Sequence, residues 1–197
     1  MTQAIIFDVG GVYMSGSFVD FVSRSYTVLD IDQVFTASDE ITFDANLNTG
    51  KISHDECFRK YFGVSISEDQ MEQIKEIWMT TWAPTQNMID LVRKLKNTYT
   101  LAILSNSDLL NSTKYSRKGW YSYFDHLILS HEVGILKPDP MIYEMTLERI
   151  GLPARECLFI DDQAKVLVPA RDIGMETIHF QSLEQLKREL IAKNIVF

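Results

Sequence analysis

Five short strand candidates, three of them continuous apolar runs closed by a polar residue, divide this chain. Ala4-Ile5-Ile6-Phe7 stops at Asp8, and Tyr99-Thr100-Leu101-Ala102-Ile103-Leu104 stops at Ser105. Asp125–Ser130 is a third run, Cys157-Leu158-Phe159-Ile160 ends in Asp161-Asp162, and Glu176–Phe180 is the last. Continuous runs rich in β-branched and aromatic residues read as strands buried on both faces. Helical signals lie before, between and after the last four. Thr85 can cap a helix carrying Met88, Leu91, Val92 and Leu95 on one side. Asp139 is placed to cap another, with Pro140 as its first helical residue, and Ser182-Leu183-Glu184-Gln185 opens a closing helix. Strands that alternate with helices predict an α/β fold, a doubly wound parallel sheet with helices on both faces.

The stretch between the first and second runs reads differently. From about Phe18 to Trp82 there is no strand pattern, only helical signals. Ser53-His54-Asp55-Glu56 is a capping-box pattern followed by Cys57, Phe58 and Tyr61 at helical spacing. Ser67-Glu68-Asp69-Gln70 is another, leading to Met71, Ile74, Trp78 and Trp82 along one face. Phe18–Tyr26 and Gln33–Ala45 also read as helical. The expected organisation is a core domain built from residues 1–14 and 85–197, interrupted by a small helical domain over 15–84. Ser15-Gly16-Ser17 and Ala83-Pro84 are its two junctions.

Composition narrows the function. A hydrophobic content of 46% with 23% charged residues is that of an ordinary globular chain. The net charge of −8 argues against a broad footprint on nucleic acid. No apolar run reaches the length of a bilayer span, and the first residues lack a secretory-signal pattern, so a cytoplasmic protein is expected. Cys57 and Cys157 form no spacing motif, and a reducing compartment suits them. His54, His126, His131 and His179 show no metal-ligand spacing and read as structural or surface residues. Lys51 and Arg59 read as solvated charges, and Trp78 and Trp82 as core of the helical insert. Oligomeric state is left open.

The candidate chemistry lies at strand ends. Asp8, Ser105-Asn106, Lys137 and Asp161-Asp162 are far apart in sequence, yet a parallel sheet brings such positions to one edge, where ligands bind in this architecture. Gly10 and Gly11 after Asp8 let the backbone bend and approach a ligand. Two carboxylates about 4 Å apart repel by roughly 4 kcal/mol at an effective dielectric near 20. Asp8, Asp161 and Asp162 together, offset by Lys137 alone, imply either protonated carboxylates or a hard divalent cation. Mg²⁺ fits, because it takes one or two carboxylates and works beside phosphate oxygens. A lysine and a hydroxyl around a carboxylate then suggest phosphoryl transfer to that carboxylate.

The ordered set FDVGGV, LSNS, LKPDP and FIDD resembles the four motifs of the haloacid dehalogenase-like hydrolase superfamily, spread from one end of the chain to the other. The resemblance implies a Rossmann-like core with a helical cap of the first type. It also implies a Mg²⁺-dependent phosphatase acting on a small phosphorylated metabolite, such as a sugar phosphate. On it, Asp8 would be the nucleophile that forms an aspartyl-phosphate, and Lys137 would neutralise charge on nucleophile and phosphate. Ser105 would hydrogen-bond the transferring phosphoryl group, and Asn106 would bind phosphate beside it. Asp8, Asp162 and the carbonyl of Gly10 would ligate the metal, with Asp161 assisting through water. Two positions depart from the pattern. Phosphatases of the family usually carry a second Asp where this chain has Gly10, and dehalogenases usually carry Tyr there. Val166 occupies a place often held by Asn. The glycine-bearing motif looks like that of a branch with sugar-phosphate phosphatases. A catalytically impaired binding or regulatory protein and a 2-haloacid dehalogenase are the alternatives.

Overall fold

The computed structural model describes residues 1–32 and 45–197. Its strands are β1 (Ala4–Phe7), β2 (Thr100–Ser105), β3 (His126–Leu129), β4 (Cys157–Asp161) and β5 (Glu176–His179). They form one sheet in the order β3-β2-β1-β4-β5, every neighbouring pair parallel. The expected doubly wound α/β fold is therefore present, and β1 lies at the centre of its sheet.

Alternation along the strands separates two apolar layers. Ile5, Phe7, Leu101, Ile103, Leu158 and Ile160 point to one face. There they meet Met88, Leu91 and Leu95 of α5 (Gln86–Leu95) and Leu186 and Leu190 of α10 (Leu183–Ala192). Ala4, Ile6, Ala102, Leu104 and Phe159 point to the other face. They meet Ile142 and Tyr143 of α8 (Pro140–Ile150) and Val166, Leu167 and Ala170 of α9 (Ala164–Asp172). The capping signals act as read. Thr85, Asp139 and Ser182 each accept a backbone N–H in the first turn of the helix that follows.

Two further core helices are α6 (Leu109–Arg117) and the short α7 (Ser130–Val133), which the apolar pattern does not announce. Leu109-Leu110 is followed by Asn111-Ser112-Thr113-Lys114, and such polar residues mask helical periodicity. What starts α6 is Asp108, whose carboxylate accepts the Asn111 N–H at 3.0 Å.

Between β1 and β2 the described residues form α1 (Phe18–Leu29), α2 (Ala45–Asn48), α3 (His54–Phe62) and α4 (Glu68–Thr81). They bury an apolar cluster of their own, built on Phe21, Val22, Phe58, Met71, Ile74 and Trp78. Ser53 caps α3, and Ser67 with Gln70 completes the reciprocal capping box of α4. Of the helix expected over 33–45, residues 33–44 lie outside the described residues, and Ala45 opens α2. The two junctions run side by side. Ser15 and Ala83 exchange backbone hydrogen bonds of 2.9 and 3.0 Å. A side chain at Gly16 would place its Cβ 2.3 Å from Trp82, so only glycine lets the strands pass this closely. Among the described residues no helix is long and apolar enough to cross a membrane.

Candidate active site

At the carboxyl edge of the sheet, β1 delivers Asp8, β2 delivers Ser105 and β4 delivers Asp161 and Asp162. Lys137 comes from the loop before α8. Its Nζ donates to Asp8 Oδ1 at 2.8 Å and to Asp161 Oδ2 at 2.6 Å. All three side chains are buried. One oxygen from each of Asp8, Asp161 and Asp162 lies within 4.8 Å of the other two.

The charges do not balance. Burial pushes Asp8 above the usual carboxylate range against the pull of Lys137, and the nearby Asp161 adds to the rise. Burial also raises Asp161 and Asp162, the latter helped by the Asp8 charge. Burial would lower the Lys137 ammonium, but Asp8 and Asp161 outweigh it and hold it above its ordinary value. One lysine thus faces three carboxylates, and a hard cation would relieve the excess.

The oxygens differ in availability. Asp161 is engaged on both sides, Oδ2 by Lys137 and Oδ1 by the Gln163 N–H at 2.8 Å. Asp162 Oδ1 is buried with no hydrogen-bond partner among the described residues. Such an orphaned buried oxygen is costly unless something binds it. Gly11, at φ +78°, is needed beside it, since a Cβ there would sit 2.3 Å from Asp162 Oδ2. An all-oxygen set with one uncommitted carboxylate oxygen fits a hard divalent cation. Val166 offers no ligand: it is buried in the apolar layer, and its carbonyl accepts from the Tyr143 hydroxyl.

Asn106 has a different use from the one its position suggests. Its Nδ2 donates to the Lys137 carbonyl at 3.0 Å, and its Oδ1 accepts the Lys137 N–H at 2.8 Å. The side chain therefore clamps the lysine loop, and its second Nδ2 hydrogen has no partner in that clamp while Asn106 also lines the cleft above.

Above these groups lies a cleft of about 340 Å³ between the insert and the sheet edge. The insert contributes Phe18, Asn48, Trp78 and Trp82, so the two tryptophans both pack the insert and wall the cleft. The core contributes Gly10, Ser105, Asn106, Asp108, Asn111 and Gln163, among others. Asp108 also ties the halves together, for His54 Nε2 of α3 lies 2.7 Å from its Oδ1. Burial would raise the Asp108 carboxyl, but the His54 contact and the Asn111 bonds hold it below its usual range. The sequence reads His54 as a structural or surface residue and gives no role to Asp108 or Asn111. The D-x-x-N capping spacing is the signal that could have found the latter two. Lys51 and Arg59 are both exposed as read, and Arg59 also donates to the Ile66 carbonyl at 2.6 Å.

Residues 2–174 match the family described as haloacid dehalogenase-like hydrolase. A D-ribitol-5-phosphate phosphatase from Bacteroides thetaiotaomicron is 27% identical over 202 residues, covering 96% of this chain and 97% of that protein. A glyceraldehyde 3-phosphate phosphatase from Methanocaldococcus jannaschii is 24% identical over 193 residues, covering 90% of this chain and 84% of the relative. Among solved structures, a haloacid dehalogenase family enzyme from Bacteroides thetaiotaomicron, in complex with magnesium and inorganic phosphate, aligns with a TM-score of 0.76 at 22% identity. That alignment covers 94% of this chain and 99% of the other, and it establishes a shared fold.

Proposed function

Since the chain belongs to the haloacid dehalogenase-like hydrolase family, we propose that it is a Mg²⁺-dependent phosphatase that hydrolyses small phosphate monoesters through an aspartyl-phosphate on Asp8. The observation that carries the reading is the Asp8–Lys137–Asp161 ion cluster beside the uncommitted Asp162 oxygen. Relatives named as phosphatases, one of D-ribitol 5-phosphate and one of glyceraldehyde 3-phosphate, support it.

Asp8 attacks phosphorus, the bond to the ester oxygen breaks, and the alcohol departs with a proton. Water then attacks the phosphorus of the acyl phosphate and releases inorganic phosphate, restoring Asp8. Lys137, held against Asp8 at 2.8 Å, keeps the nucleophile oriented and offsets the charge that builds as the dianionic phosphoryl group approaches. Asn106 keeps that lysine in place through its main chain. Ser105, at the end of the neighbouring parallel strand β2, faces the transferring group beside Asp8. Mg²⁺ held by Asp8, Asp162 and the Gly10 carbonyl, with Asp161 behind, would supply the remaining charge neutralisation at phosphate.

Residues 15–84 act as a cap that closes over the cleft and excludes bulk water. Its paired junctions at Ser15 and Ala83 are the hinge, and the His54–Asp108 contact is the tie on the far side. The single feature favouring a non-turnover binding protein is Gly10, which supplies no general acid. A screen of phosphate esters with and without Mg²⁺ decides. Mg²⁺-dependent phosphate release abolished by Asp8→Asn supports the reading. Tight phosphate-ester binding without release favours the binding protein, and halide release from a 2-haloacid without Mg²⁺ favours a dehalogenase.

A further inference from the structure

The cleft wall differs in charge from its floor. Among the described side chains that line the cleft, Asp108 is the only carboxylate, and none is a basic group. No Lys or Arg lines the cleft among the described residues, and segment 33–44 of the sequence contains neither. The cations nearby are committed elsewhere. Lys137 lies beneath, between Asp8 and Asp161. Lys114 turns its ammonium onto the Trp82 carbonyl at 2.7 Å and over the rings of Tyr115 and Trp120. Lys51 borders a separate pocket with His54.

What the wall offers instead is of two kinds. Phe18, Trp78 and Trp82 form an aromatic side, with the two indoles edge to face at 4.7 Å between ring centres. Asn48, Asn111 and Gln163 are neutral hydrogen-bonding groups. Asn111 is held in one orientation by Asp108, which accepts both its backbone and side-chain N–H at 3.0 Å. Its Oδ1 is buried and accepts no hydrogen bond among the described residues. An unmet buried acceptor next to a cleft suits a hydroxyl donor.

We infer that the leaving group is a small neutral alcohol with an apolar face and at least one further hydroxyl, and that phosphate esters bearing a carboxylate or a second phosphate are excluded. The inference rests on the phosphatase reading and names the substrate class of that site. A second anionic group would meet no cation and would approach the Asp108 carboxylate, and like charges brought together without water cost affinity steeply. A volume near 340 Å³ keeps the alcohol small.

The test is kcat/KM with Mg²⁺ for matched ester pairs, 2-hydroxyethyl phosphate against 2-phosphoglycolate and glycerol 1-phosphate against 3-phosphoglycerate. The neutral member of each pair should exceed the anionic one by about tenfold or more. Raising ionic strength should narrow the gap, because screening weakens the repulsion. Asn48→Lys, at a half-buried wall position, should narrow it further by raising the anionic member severalfold. Anionic esters turned over as well as neutral ones overturn the inference and leave the phosphatase reading intact. So does a gap that neither salt nor a folded Asn48→Lys protein changes. Failure of every ester, p-nitrophenyl phosphate included, removes both readings.

Discussion

Asp8→Asn separates catalysis from stability, and the structure gives the sign of each. Lys137 at 2.8 Å attracts the Asp8 carboxylate by about 6 kcal/mol at an effective dielectric of 20. Asp161 and Asp162, with oxygens inside 4.8 Å, each repel it by roughly 3.5 kcal/mol or more. The two repulsions exceed the one attraction by about 1 kcal/mol, and the cost of burying a charge falls on the same side. Without a divalent cation, Asp8→Asn should therefore be inactive yet more stable than wild type by about 1–3 kcal/mol. That is a rise in Tm of roughly 2–4 °C per kcal/mol for a chain of this size.

The pH dependence follows from the direction of the shift. Burial, with Asp161, raises the folded-state pKa of Asp8 above its unfolded value. The penalty for an ionised Asp8 is then complete above the folded value and absent below the unfolded value of about 4. The advantage of the amide is thus present at pH 7 and gone at about pH 3.5. Mg²⁺ should offset most or all of that advantage at neutral pH, since a ligand at 100 times its Kd adds about 2.7 kcal/mol to the protein that binds it. Urea denaturation of both proteins in EDTA and in Mg²⁺, at both pH values, checks all three statements. An amide variant with native near-ultraviolet circular dichroism that is less stable than wild type in EDTA at pH 7 would refute the charge accounting.

Three other outcomes are expected. Asp162→Ala, which removes the orphaned oxygen, should lower Mg²⁺ affinity by tenfold or more in calorimetric titration, and equal affinity would end its role as a ligand. His54→Ala should destabilise by about 3 kcal/mol at pH 7, because it leaves Asp108 buried without its partner. As the folded pKa of Asp108 is depressed, that difference should fade as pH drops below about 4, and a difference constant down to pH 3 would contradict it. Wild-type phosphorylation rates should depend steeply on leaving-group acidity, with p-nitrophenyl phosphate far ahead of alkyl esters, because Gly10 cannot protonate the leaving oxygen. A flat series on the chemical step would show that another group supplies the proton.

Much of the architecture is legible because the three central strands, β2, β1 and β4, are buried on both faces and so read as unbroken apolar runs, while the partly exposed edge strands β3 and β5 read only as short candidates. The polar terminators of the central three are the residues that meet at the sheet edge. Asp8 and Lys137 stand 129 positions apart in the chain yet form an ion pair, which the parallel topology makes expected. The cleft wall is less legible. His54 and Asp108 lie on different elements, and neither helix pattern says which faces the other. Helix α6 begins on a cap and carries a polar sequence, so Asn111 sits in what reads as a loop. Asn106 shows the limit of motif position, since its neighbours suggest a phosphate contact while its amide holds the lysine loop. The tryptophans needed no choice between core and cleft, as Trp78 and Trp82 serve both.

The two adjacent glycines of the first motif are required for different reasons. Gly11 is fixed by conformation and by space: its φ is +78° and a Cβ would collide with Asp162 Oδ2. Gly10 is not, because a Cβ there would meet nothing within 4 Å. The backbone would accept a side chain at the position where phosphatases of this family usually carry an aspartic acid. The missing acid is therefore a property of the chemistry and not a steric compromise. Among the described residues, the one further titratable side chain lining the cleft besides Asp108 is Tyr115, whose hydroxyl burial raises so that it holds its proton. Asn48, Asn111 and Gln163 cannot donate a titratable proton, and Asp108 is kept ionised below its usual range by His54. Lys137 is held above its ordinary value by two carboxylates and does not give up its proton readily. The proton for the departing alkoxide must come from water or from the substrate itself. A second hydroxyl on the leaving group would only move the negative charge within the same alcohol, so water in the cleft is the donor that lets it depart neutral.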